Sequence, residues 1–333
     1  MGASSEISIF LYRLSLILKI KLLINMEINR RNFLQNLGMA TGAMAFAPEI
    51  IAATPEKKLW FEISLAEWSL HKTIFNEKKL TNLDFPVVAR KEFGIGIVEY
   101  VDQMFKDKAK DTAYLNELLG RCKDNNVKNH LIMVDTAGDL GEANKAKRVK
   151  AVENHYQWVD CAKYLGCATI RVNARGQGKA EEVASNAADG LARLSEYAAK
   201  ANINVIVENH GGFSSDGKWL AGVMKTVNMK NCGTLPDVGN FCVEYDKDGC
   251  KLEYDRYMGV EELMPFAKGV SAKTNVFDDK GNEAKMDYVR LMQIVKKSGF
   301  KGIIGVEYEG PTLSEYDGIK ATKKLLERAG AEV

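Results

Sequence analysis

Val205-Ile206-Val207-Glu208-Asn209-His210-Gly211-Gly212 is an apolar, β-branched run that stops abruptly at a carboxylate and a pair of glycines. A strand apolar at successive positions is buried on both faces, as strands of a parallel sheet are. Here it delivers one charged side chain to its C-terminal end. Three later stretches repeat the design: Gly233-Thr-Leu-Pro-Asp237-Val-Gly-Asn240, Gly269-Val-Ser271-Ala-Lys273-Thr and Ile303-Ile-Gly-Val-Glu307-Tyr-Glu309-Gly. Their spacing is roughly one βα unit, as a (β/α)₈ barrel of about 250 residues requires.

Outward from these four, strands are expected at 61–66, 95–101, 130–134, 168–173, 204–208, 233–237, 269–273 and 302–307, eight in all. Helical patterns fill 111–125, 143–165, 180–201, 218–227, 286–298 and 314–329, with buried-face spacing clearest in Val183, Ala187, Leu191, Leu194 and Ala198. Gly94, Gly166 and Gly299 fit C-terminal caps. A polar loop at 245–259 precedes a short helix near 261–266 and is placed to cover a site. Strict alternation also suits an open doubly wound sheet. The dinucleotide glycine pattern is absent after the first strand, however, and carboxylates end strands in both halves, so a single (β/α)₈ TIM barrel over 59–333 is the expected fold.

The chain has 333 residues, 46% of them apolar, enough for one full-sized core. Once the five basic and three acidic residues of 1–53 are set aside, 41 of each sign remain. That balance lacks the basic excess of a nucleic-acid binder. Six cysteines show neither a Cys-x-x-Cys pair nor zinc spacing and are read mostly as small buried residues, with disulfides open if the protein is exported.

Residues 1–58 read as an N-terminal extension and an address. Asn29-Arg30-Arg31-Asn32-Phe33-Leu34-Gln35 resembles a twin-arginine export signal, followed by a mild apolar stretch at 37–53. Met26 suits the start of such a signal better than Met1. Export to the periplasm through the twin-arginine route is the expected localisation, and no uninterrupted apolar run reaches the length of a membrane span.

On the barrel reading the upper rim receives Glu67 and His71, Glu99, Asp135, Arg171 and Asn173, Glu208 and His210, Asp237 and Asn240, Lys273, and Glu307 and Glu309. Carboxylates converging on an apolar mouth repel one another unless a cation neutralises them. A divalent metal on oxygen ligands, Mn or Mg, is the economical answer. A salt bridge across the barrel is the plainer reading of any single one.

Val-Glu-Asn-His-Gly-Gly at strand five, Pro-Asp-Val-Gly-Asn-Phe at six, a Lys at seven and Val-Glu-Tyr-Glu-Gly at eight resemble the xylose isomerase-like TIM-barrel superfamily. This sugar isomerase and epimerase group also includes endonuclease IV. The resemblance spans 61–330 and implies metal ligands at Glu208, Asp237 and Glu307. The family's strand-seven histidine is Ser271 here, so His210, Ser271 or water is left to supply the fourth ligand. The resemblance also implies a sugar isomerase or epimerase that works through an enediolate. Glu208 and Glu307 would move the proton and Lys273 would stabilise the oxyanion. Trp68, His71, Glu99, Arg171, Asn173, His210 and Asn240 would hold the substrate, a small sugar or glycoside. The alternatives are a lyase that cleaves 3-keto-glycosides by β-elimination and a non-catalytic sugar-binding barrel. Only four histidines argue against the endonuclease branch, and acidic loops at 278–280 and 309–317 argue against a phosphorylated sugar. A homo-oligomer is compatible with the sequence.

Overall fold

In the computed structural model residues 59–333 are described; the paired arginines Arg30 and Arg31 lie outside them. The strands of the barrel are β1 (Glu62–Ala66), β2 (Ile97–Val101), β3 (Lys128–Met133), β4 (Thr169–Val172), β5 (Asn204–Glu208), β6 (Cys232–Leu235), β9 (Val270–Thr274) and β10 (Ile303–Tyr308). A separate hairpin, β7 (Cys242–Asp246) and β8 (Gly249–Glu253), follows β6. The barrel strands are parallel and neighbour one another in chain order, with β1 beside β10. Isolated bridges Thr234 to Ala267 and Asp237 to Ser271 join β6 to β9 and bring the sheet round into a (β/α)₈ barrel.

Eight helices among the described residues cover the strands: α1 (Phe85–Phe93), α2 (Thr112–Asp124), α3 (Lys145–Leu165), α4 (Ala180–Ala199), α5 (Gly217–Val227), α6 (Arg256–Leu263), α7 (Tyr288–Lys297) and α8 (Glu315–Glu332). Side chains that bond an orphan N–H start most of them: Asp111, Asn144, Asp216, Asp255, Asp287 and Ser314. Gly94 and Gly166 take left-handed φ and close α1 and α3 as expected. No helix of the described residues is long and apolar enough to cross a membrane.

The main apolar core lies between strands and helices. A second small cluster, including Leu131, Met133, Ile206 and Leu235, lies on the strands' other face. Ile206 and Leu235 precede Glu208 and Asp237 by two residues, so they share a face with those carboxylates and form an apolar floor beneath them.

The eight barrel strands fall within a few residues of their expected places. Two elements do not follow the sequence reading. Helix α1 was expected only through its cap at Gly94 and was given no range, and the expected polar loop at 245–259 overlaps the β7–β8 hairpin, whose two strands are tied by a Cys242–Cys250 disulfide. Cys122, Cys161 and Cys167 are buried free thiols, as expected, and Cys232 is half-buried.

Candidate active site at the C-terminal ends of the strands

Parallel register sets the polar groups at two successive levels: Asp237 pairs with Ser271, and two residues further on Lys273 pairs with Glu307. Above them opens a cavity of about 400 Å³. Four of the expected residues line it, Trp68, Arg171, His210 and Glu307, joined by Gln103, Asp135, Thr136, Arg175 and Glu309. Glu208, Asp237, Asn240 and Lys273 lie behind this lining and act on it through contacts.

Arg171 is the first of these contacts. Its guanidinium lies 2.6 Å from Asp135 and 2.8 Å from Glu208 Oε2. The Nε–H is close to Glu208 without being aimed at it, so neither atom gains a hydrogen bond and the attraction is Coulombic. Asn240 Nδ2 donates to the other Glu208 oxygen at 2.9 Å. Burial raises the pKa of Glu208; Arg171 opposes the shift and Glu307 adds to it. Asp135 goes the other way: burial penalises its charge, but Arg171 outweighs burial and holds it below the ordinary carboxylate range.

Lys273 is the second. Its ammonium lies 3.0 Å from Glu309, 3.1 Å from Glu307 and 3.9 Å from Asp237, and it donates to Asn240 Oδ1 at 3.2 Å. Burial disfavours that charge, yet Glu307 and Asp237 outweigh it and raise the pKa of Lys273 well above normal. Ser271 Oγ donates to Asp237 Oδ2 at 2.7 Å, and the Gly239 N–H donates to Asp237 Oδ1 at 2.7 Å. Even so, burial pushes Asp237 up to about 8. Glu307 is raised by burial as well, with Lys273 opposing.

The remaining expected residues have other tasks. His71 donates from Nδ1 to the Trp68 carbonyl at 2.7 Å and stacks on the Trp68 ring at 4.9 Å, so it braces the tryptophan instead of lining the cavity. Glu99 is buried, bonded by Ser64, and pushed up to about 7 by burial. It occupies room left by Gly305, where a Cβ would come within 2.9 Å of both carboxylate oxygens. Asn173 donates to Asp135 at 2.7 Å. His210 Nδ1 accepts from Arg175 at 2.6 Å. Burial, then Arg171 and Lys273, push His210 down to about 3, so it is neutral at pH 7.

A metal ion needs several oxygens or nitrogens free to converge on one point. The six oxygens of Glu208, Asp237 and Glu307 instead face Asn240, Arg171, Gly239, Ser271 and Lys273. Among the described residues no three His, Cys, Asp or Glu side chains are grouped so as to hold a metal ion. The donor set therefore does not fit a divalent cation as it stands.

Gln103 and Thr136 were not read from the sequence. They follow β2 and β3 by two and three residues, and position past a strand end was the only available signal. Asp135 and Glu309 stood in the sequence as rim residues without a role at the site, and Arg175 stands in the loop Arg175-Gly-Gln-Gly178, whose two glycines gave only a weak sign of an anion cradle.

The sequence pattern of the xylose isomerase-like TIM barrel family matches residues 87–329. The chain belongs to that family. No curated protein sequence matches significantly. Among solved structures, an L-ribulose 3-epimerase superposes with a TM-score of 0.63 at 14% identity, over 81% of this chain and 95% of that one. A sugar phosphate isomerase/epimerase from Parabacteroides distasonis gives 0.62 at 15%, over 85% and 98%. IOLI protein with a bound zinc atom gives 0.60 at 13%, over 82% and 99%. At these identities the likeness is one of fold.

Proposed function

We propose that this chain isomerises or epimerises a keto-sugar by removing and returning a proton at the carbon next to the carbonyl. The observation that carries this reading is Glu307: a carboxylate at a strand's C-terminal end, raised in pKa by burial, facing a cavity that also presents Trp68, Arg171 and neutral His210. A carboxylate raised above its ordinary range is the stronger base, better suited to taking a proton from carbon. The sugar epimerase and isomerase among the relatives support the substrate class.

Glu307 removes the proton on this account. An epimerase needs an acid–base group on each face of the carbon; Glu208 is the candidate for the second, and it reaches the carbon once the Arg171 guanidinium that covers it turns aside to the substrate. Trp68 offers a ring face to the sugar, while Arg171, His210 and Asp135 meet its hydroxyls. One of the similar structures binds a zinc atom, which supports a divalent metal in this reading, with Mn or Mg the expectation for an oxygen site. This chain's own side chains do not assemble that ligand set, and no step here passes through one.

Glu307→Gln should lower turnover at least about a hundredfold while sugar binding persists. Undiminished turnover would remove Glu307 from the role, and binding without any turnover in the wild type would favour the sugar-binding barrel. A product lacking its aglycone would mark β-elimination. Export is proposed on the Arg30-Arg31 motif and is supported by the Cys242–Cys250 disulfide, a bond suited to an oxidising compartment. Fractionation of cells carrying the full-length gene tests it.

A further inference from the structure

We propose that the Lys273 ammonium takes the place of a divalent cation in this site, so that the chain's proton-transfer chemistry runs without a metal. The proposal rests on the enolate reading above and deepens it.

Three features point to it. First, the histidine that the family resemblance calls for on strand seven is Ser271, and its hydroxyl is spent on Asp237 at 2.7 Å. Second, the positive charge needed among Asp237, Glu307 and Glu309 is already present, as one buried ammonium 3.0 to 3.9 Å from all three. A dication among the same oxygens would meet that ammonium at close range, with burial offering little screening. Third, the lysine's position is built in. Gly239 leaves space for its stem, since a Cβ there would lie 3.0 Å from Lys273 Cγ and Cδ. Tyr288 Oη donates to the Lys273 carbonyl at 2.7 Å. Asn240 links the ammonium to Glu208, accepting from one and donating to the other.

In the reaction Lys273, held behind Glu307 and Glu309, offsets the negative charge that develops on the enolate through space, without giving up its proton. Glu307 takes the proton from carbon and exchanges it with solvent through the cavity it lines, and a solvent-derived proton is then returned to carbon, so charge and atoms balance with no further reactant.

The test uses the full-length protein dialysed against a chelator, wild type and Lys273→Met. Manganese binding is measured by calorimetry, and solvent deuterium uptake into methyl 3-keto-glucoside and D-fructose is followed on the same samples. We expect wild-type uptake to be unchanged by chelation or by added Mn. Lys273→Met, which frees the carboxylates, should bind Mn at least tenfold more tightly than wild type and lose uptake. Wild-type binding of one Mn per chain as tightly as the variant, or uptake abolished by chelation and restored by Mn, overturns the proposal and leaves the enolate reading standing. Absence of uptake under every condition counts against the enolate reading instead, and the wild-type Mn titration still decides whether the lysine excludes the metal. The wild-type arm does not depend on the variant folding.

Discussion

Arg171 serves two carboxylates at once, Asp135 and Glu208, with almost no exposure of its own. Removing one member of a buried ion cluster leaves the others charged and unpaired, which costs more than the pair contributes. Arg171→Met should therefore destabilise the fold by about 3–5 kcal/mol in urea denaturation. A loss below 1 kcal/mol would mean that Glu208 simply takes up a proton. The sequence showed Arg171, Glu208 and Glu307 as strand-end residues because each closes an apolar run. It did not show which of them reach the cavity. Glu208 and Asp237 lie behind Arg171 and Lys273, an ordering fixed by side-chain packing across four strands that no single stretch encodes.

At the scale of elements, the hairpin is the piece most separable from the barrel. Tyr245 on β7 lies beside Gly211, where a Cβ would come within 3.5 Å of its ring, so the hairpin flanks the loop that carries His210. Its strands are largely exposed and held together by few residues besides the Cys242–Cys250 disulfide. Reduction should speed tryptic cleavage at Lys247 and Lys251 while the urea midpoint of the whole protein stays nearly constant, because local opening exposes little core. A large fall in the midpoint would show that the hairpin supports the barrel. The element was hidden in the sequence because polar residues dominate its strands and its cysteines fit no recognisable spacing. Helix α1 was hidden for a different reason: it is short, and Pro86, at its start, reads as a break although the first turn of a helix tolerates it. Gly318 in α8 shows the tightness of helix on strand. A Cβ there would lie 2.2 Å from the Tyr308 ring, and Gly318→Ala should cost about 1–3 kcal/mol by overpacking, measured as a lowered midpoint.

For the whole molecule, buried titrating groups set the response to pH. Burial pushes Glu67 from 4.5 up to about 8, so the folded state holds a proton that the unfolded chain has lost, and stability falls as pH rises from 4.5 towards 8. Burial pushes His130 and His155 from 6.5 down to about 4, so their contribution is present above 6.5 and is lost as pH falls towards 4. Glu99, raised to about 7, and Asp237, raised to about 8, act in the same sense as Glu67, and His210, lowered to about 3, in the same sense as the other two histidines; acids and histidines oppose one another below 6.5, and the acids act without them above it. A decline in stability between pH 6.5 and 8 is the expected outcome of denaturation measured from pH 4 to 9; a steady rise up to pH 8 would contradict it. The barrel itself was legible because its signal is repeated eight times, each strand an apolar run with a polar end, and repetition survives errors at individual boundaries. The cation at its centre was not legible, since a lysine two residues after a serine gives no sign of which carboxylates it will meet.

The central claim is proton transfer at the carbon beside a sugar carbonyl. The full-length protein incubated with methyl 3-keto-glucoside and D-fructose in deuterated water, with the product read by NMR, tests it most directly. The account predicts a single deuteron at the carbon next to the carbonyl, appearing in wild type and lost in Glu307→Gln. Turnover with no deuterium at that carbon, or equal incorporation in the variant, would contradict it.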